Sequence, residues 1–292
     1  MMAALKNFGK ILFLTFILAG SLVLSRVILF QLGVEIPRLP QQADENTAVY
    51  YLLTGSLFLA AGWFFLIKDI GGSLREKTLI SWLFIFIGFS IGITIESAIY
   101  SDVESYHLTV FLLIIPAILY AFVASLMTHR EQPSRSCYRE LLSYFKKWSK
   151  GIWLRKIVLA IVSFPVIYFV FGMIAAPFVL EYYSNDIEGL ALPPPGTIIL
   201  VQLIRSTLFL IITIPVIISW TSSKTRLVLS LTIAHFVMVF AYDIYLAIVM
   251  PLNLVLIHGI EIFAVSFVYS WILVKILWQK YHSYRGVSED LL

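Results

Sequence analysis

The sequence predicts an all-α polytopic integral membrane protein of eight transmembrane helices with both termini cytoplasmic. Three observations predict it. First, 60% of the 292 residues are hydrophobic and only 13% are charged, against about a quarter charged in a soluble domain. Second, the apolar residues form runs of about 20, the length that crosses a hydrocarbon core as a helix. They stay apolar throughout, whereas barrel strands would alternate over about ten residues. Third, Lys and Arg are concentrated in alternate loops.

Taken in order, span one covers 9–32. Lys6 and Lys10 precede it as they would a signal peptide, but the apolar stretch is too long for a signal core. Leu18-Ala19-Gly20-Ser21 lacks the cysteine of a lipoprotein site, so an uncleaved span is expected. Spans two to four cover 48–67, 79–100 and 108–127. Gly88 and Gly92 give span three a Gly-x-x-x-Gly spacing that lets helices approach closely. Glu96 follows at the next four-residue step.

Residues 1–128 thus carry spans one to four, and 129–154 form a basic connector. Within it Tyr138, Leu141, Leu142, Phe145, Trp148 and Ile152 recur at three- and four-residue intervals, with Arg139, Lys146, Lys147 and Lys150 between them. That pattern predicts a cytoplasmic amphipathic helix over about 137–150, lying in the membrane plane. Its expected partner is the bilayer, with anionic headgroups meeting the basic 139–156 region. A membrane or cytoplasmic protein docking there is the alternative.

Residues 155–279 carry spans five to eight, at 155–179, 197–219, 227–249 and 251–276, and 280–292 form a cytoplasmic tail. The run Ala191-Leu-Pro-Pro-Pro-Gly196 reads as a stiff extended connector into span six. A single helix over 227–276 would be about 75 Å long at the usual rise, so the chain must turn at Met250-Pro251. Proline suits the first turn of the following helix. Pro116, Pro165, Pro177 and Pro215 fall inside spans and can bend them.

Charge sets the orientation. The N-terminal segment, the 68–78, 128–156 and 220–226 loops and the region from Lys275 hold 18 of the 21 Lys and Arg. The opposite loops hold Arg38 alone, against Glu35, Asp44, Glu45, Asp102, Glu104, Glu181, Asp186 and Glu188. The basic side is cytoplasmic, and the expected location is a plasma membrane or a bacterial inner membrane. This distribution explains the net charge of +4 without nucleic acid. All seven tryptophans lie on or near the basic side, as interfacial anchors do. The single Cys137 excludes a disulfide framework and any paired-cysteine metal motif; it reads as an ordinary thiol rather than a palmitoylation site.

The eight spans divide into four and four with the same orientation, unlike an inverted repeat. Aligning the chain from Lys77 with the chain from Arg226 matches only a basic start, an apolar stretch and a late acid. Similar topology alone does not demonstrate duplication.

Charged side chains in hydrocarbon are costly and draw attention to function. Away from span ends they are Arg26, Glu96, Arg205, His235, Asp243, His258 and Glu261. Arg26 is close enough to the outer end of span one to extend toward headgroups. Arg205 lies about 12 Å below the outer start of span six, too deep for that escape, and its five donors require an acid or an anion. Glu96 and Asp243 are the acids at comparable height, with Glu96 favoured. In span eight His258 and Glu261 share a face, Asn253 lies a turn above, and His235 of the adjoining span seven can face them. The candidate substrate-binding or coupling set is therefore Arg205, His258, Glu261, His235, Asp243 and Glu96. His258 and Glu261 are the candidates for handling a proton, an imidazole being the side chain that titrates nearest neutrality.

No cofactor is predicted, and no metal. His258-Gly259-Ile260-Glu261 is not the His-Glu-x-x-His of a zinc protease; a metal, or haem held by His235 and His258, is an alternative resting on residue type alone. No Walker loop, nucleotide fingerprint or nucleophile elbow is present, and the loops are too short for a separate catalytic domain. Three classes remain. They are a secondary transporter or transport-associated protein for a small polar or anionic solute, with proton coupling as one variant; a multi-pass assembly, immunity or partner-binding protein; and an intramembrane enzyme using His/Glu acid–base or metal chemistry. The topology has a direct check: accessibility labelling should place residues 40, 103 and 186 outside and residues 72, 143 and 223 inside. Reversal at alternate loops would refute it.

Overall fold

The computed structural model describes residues 2–34, 45–100, 106–129, 136–184, 193–246 and 251–278. The outer loops, the turn before Pro251 and the 280–292 tail lie outside the described residues. Among the described residues ten α-helices follow one another: α1 Met2–Gln31, α2 Glu45–Lys68, α3 Leu74–Ile85, α4 Gly92–Tyr100, α5 Tyr106–Thr128, α6 Cys137–Lys146, α7 Lys150–Ser184, α8 Pro195–Ser219, α9 Lys224–Leu246 and α10 Leu252–Leu277. A π-helical turn, Phe86–Ile91, joins α3 to α4, so those three pieces make one span. Eight helical segments are long and apolar enough to cross a membrane. The protein is an eight-span membrane protein.

The spans match the expected ones within about five residues, except that α1 begins at Met2 instead of 9, and two differences concern the connector. Helix α7 runs 35 residues, because nothing between Lys150 and span five breaks a helix. The connector helix accordingly ends at Lys146 instead of 150. Pro116, Pro165, Pro177 and Pro215 all sit inside continuous helices.

The two four-span halves meet at a symmetric seam on the basic face. Ile70 and Trp220 form an antiparallel bridge, in which Gly71 N donates to Ser219 O at 2.8 Å and Thr221 N to Asp69 O at 3.0 Å. Asp69 also pairs with Arg226 at 2.6 Å. The spacing that separates Ile70 from Trp220 also separates Glu45 from Pro195 and Leu74 from Lys224, the first residues of α2, α8, α3 and α9. It relates the N-terminal turn residues Ser73 and Ser223, which accept from Glu76 N and Arg226 N. The outer helices repeat too: Lys10 Nζ on α1 donates to Met127 O at the end of α5, as Lys156 Nζ on α7 does to Ile276 O at the end of α10. Each lysine meets carbonyls that a helix end leaves unsatisfied. In this register Lys77 stands opposite Leu227, one residue away from Arg226. The match therefore lies in turn geometry, where alignment by charge does not reveal it.

Helix α6 clamps this face. Ser73 caps α3 in a box with Glu76, whose Oε1 also accepts from Ser136 Oγ and Tyr138 N of the α6 start. Cys137 Sγ donates to Gly71 O at 3.2 Å, and Tyr144 Oη to Leu277 O at 2.7 Å. Burial pushes the Tyr144 phenol well above its ordinary pKa. The buried members of α6 are therefore Cys137 and Tyr144, while Tyr138, Leu142 and Phe145 of the expected apolar stripe are exposed.

Glycine placement corrects one expectation. A Cβ at Gly88 would stand 2.5 Å from Met238 Sδ, but one at Gly92 meets nothing within 4 Å. Gly88 thus makes a close contact and Gly92 does not, because the wide π turn between them disturbs the α-helical register that would align both. A second close approach between halves is Gly62 on α2 against Val237 on α9, where an added Cβ would lie 2.5 Å and 2.9 Å from the two valine methyls. A β-branched side chain has little freedom to yield. Gly62→Ala should destabilise the bundle by about 1–3 kcal/mol and Gly92→Ala should be near neutral, read by thermal unfolding in detergent. Equal effects would refute this assignment.

Candidate functional site

The second half encloses the polar residues. A cavity of about 30 Å³ is lined by Arg205 and Phe209 of α8, His235 of α9, His258, Glu261 and Ser266 of α10, and Phe164 and Tyr168 of α7. Four predicted residues, Arg205, His235, His258 and Glu261, are therefore brought to one place from three helices. Glu96 and Asp243 are placed by backbone on α4 and α9, but their side chains lie outside the described residues, as does the expected pairing of Arg205 with either. Asn253 is exposed at the start of α10 and does not join the cavity. Arg26 is exposed near the outer end of α1.

Arg205 is 4% exposed, with its guanidinium carbon 5.9 Å from the Phe164 ring centre and 5.8 Å from that of Phe209. The two rings themselves meet edge to face at 5.4 Å. Faces of aromatic rings attract a cation, more so where water is excluded. Pro194 and Pro195 start α8 as an extended residue followed by the first helical turn, which suits proline.

His235 forms the deep wall. Its Nε2 lies 3.4 Å from Thr213 Oγ1 and its Nδ1 3.1 Å from Ser270 Oγ. Phe84 stacks on the ring at 5.6 Å and Phe209 tilts against it at 5.3 Å. One ring nitrogen donates and the other accepts, and hydroxyls can take either role. Metal or haem ligation through His235 would forfeit one of these bonds. Among the described residues, no three His, Cys, Asp or Glu side chains converge as a metal would require.

Glu261 and His258 stand where two cavities meet. Together with Tyr168 they also line a space of about 220 Å³ between α7 and α10. That space continues past Gly172 and Ala176 to Val179, Leu180, Ile198 and Leu254 toward the outer ends of the helices. A Cβ on Gly172 would lie 3.5 Å from Glu261 Oε1, so the missing side chain leaves room beside the carboxylate.

Sequence reasoning missed Gln202. It is wholly buried one turn from Arg205 on α8, and neither amide atom has a partner. Its signal in the sequence is an amide three residues before Arg205 in a largely apolar span. Buried polar groups are nearly always satisfied, so water or a ligand atom is the natural partner.

Comparison with known proteins finds no matching family model, no matching curated protein and no matching solved structure. The site therefore stands on its own geometry. Ser270→Ala would leave a buried imidazole nitrogen unsatisfied, a loss of about 1–3 kcal/mol. Replacing the exposed Ser143 the same way should cost under about 0.5 kcal/mol. Thermal unfolding of both variants tests the assignment, and an unchanged melting temperature for Ser270→Ala would refute it.

Proposed function

We propose that the protein is a secondary transporter, or a transport-associated membrane protein, for a small anionic solute bound at Arg205 in a plasma membrane or bacterial inner membrane. The observation that carries this reading is the junction at His258 and Glu261. His258 and Glu261 line both the space that extends toward the ends of α7 and α10 and the small cavity that holds the guanidinium. A cavity of about 30 Å³ holds only a water or two, so a solute enters when the α7–α10 wall moves outward. Arg205 supplies fixed charge and directional donors for a carboxylate or phosphate. Glu261 faces the same route and is the candidate for exchanging the coupling proton, with His258 as its partner. The exposed Tyr138, Leu142 and Phe145 of α6, flanked by Arg139, Lys146 and Lys147, rest on anionic headgroups in this reading.

The small cavity and the saturated His235 favour a second reading, in which the polar residues are internal glue and the protein serves assembly or partner binding. Uptake by sealed vesicles separates the two. The substrates are a panel of small mono- and dicarboxylates with inorganic phosphate, tested at two pH values. Arg205→Gln should lower uptake about 10- to 100-fold, the range of one charge-assisted contact. Glu261→Gln should retain binding but lose the response to a pH gradient. Folded variants that bind and move the panel as the natural protein does would reject the site, and turnover without vectorial movement would select an enzyme.

A further inference from the structure

The first half contains a counterpart of the polar cavity, built by the same helices at the same positions. The seam register sets Leu59 against Phe209, Ile85 against His235 and Gly55 against Arg205. The lysine caps set Leu18 against Phe164 and Leu22 against Tyr168, and their carbonyl acceptors set Leu112 against Glu261. Every cavity-lining member of these pairs in the second half has an apolar or absent side chain in the first. The result is one space of about 460 Å³, where the second half has the cavity of about 30 Å³ and the space of about 220 Å³ beside it.

We propose that this first-half cavity is a lipid site that takes one acyl chain of an anionic phospholipid, with the headgroup at Arg26. The inference is independent of the solute site at Arg205. Leu59, Trp63 and Ala117 form a buried floor, and the exposed Val23, Arg26 and Val49 form the rim. From Val49 to Trp63 the cavity follows α2 for roughly 20 Å at the helical rise, which suits an extended chain. Left empty, its walls forfeit dispersion contacts, and the filler at hand in a bilayer is hydrocarbon as apolar as the leucines themselves. Charge selects the headgroup. Arg26 is the cation among the described lining residues, on a side whose loops hold eight acids and one other basic residue, Arg38.

The test is native mass spectrometry of protein extracted from vesicles of equal phosphatidylglycerol and phosphatidylcholine. The natural protein should retain one phospholipid through delipidation, with about a fivefold preference for phosphatidylglycerol, the effect of one basic residue near a membrane surface. Arg26→Gln should keep the lipid and lose the preference. Ala117→Phe should empty the floor, and Val23→Trp should block the rim without entering the packed interior. Arg205→Gln should leave retention unchanged, which separates failure here from failure of the solute site. A natural protein that retains no lipid, or undiminished retention in Val23→Trp, overturns the proposal.

Discussion

The structure depends on the seam between the α2–α3 and α8–α9 connections. These turns lie at a membrane surface, where backbone groups lacking a helical partner must find another or pay for desolvation. They satisfy one another: Gly71 and Thr221 donate across the bridge, and Thr221 Oγ1 adds a bond to Asp69 O at 2.8 Å. Trp220, 1% exposed, and Ile70, 3% exposed, bury the seam. Because the bonds exchange roles under a two-fold rotation, they fix the register of both halves together. Glu76 and α6 then fasten the same face from below, so the basic loops serve packing as well as orientation.

From that face the helices rise into a low-dielectric interior that has to accommodate Arg205 and His235. The means are local. Two phenylalanine faces receive the guanidinium, and hydroxyls from α8 and α10 satisfy both imidazole nitrogens. Each helix thus contributes one polar atom where a full polar face would expose too much to lipid. Ser206 and Thr207 return their hydroxyls to Leu203 O of their own helix, which satisfies these two donors without a second chain segment.

Much of this was legible in the sequence, for identifiable reasons. Span positions follow from apolar length, and the meeting of Arg205, His235, His258 and Glu261 follows from their similar depth and the tight link between the last two spans. The rest was not legible because it depends on angle more than depth. Gly92 shares its spacing with Gly88, yet a π turn that no residue type announces separates their roles. Glu76 reads as one acid among basic residues, although its carboxylate joins two helix starts. Apart from Arg26, the large first-half cavity is lined by apolar residues, mostly leucine, valine, isoleucine and alanine, types that equally well face lipid, so only coordinates distinguish a wall from an outer surface.

The seam has the form of an isologous interface, in which each partner presents the patch that it receives. Two identical chains meeting this way would have to carry every substitution twice. A guanidinium at the Arg205 position would then appear also at the position of Gly55, doubling the buried charge. Joining the halves in one polypeptide lifts that constraint. One scaffold can thereby be polar in one lobe and greasy in the other, an asymmetry that a homodimer of four-span subunits could not encode.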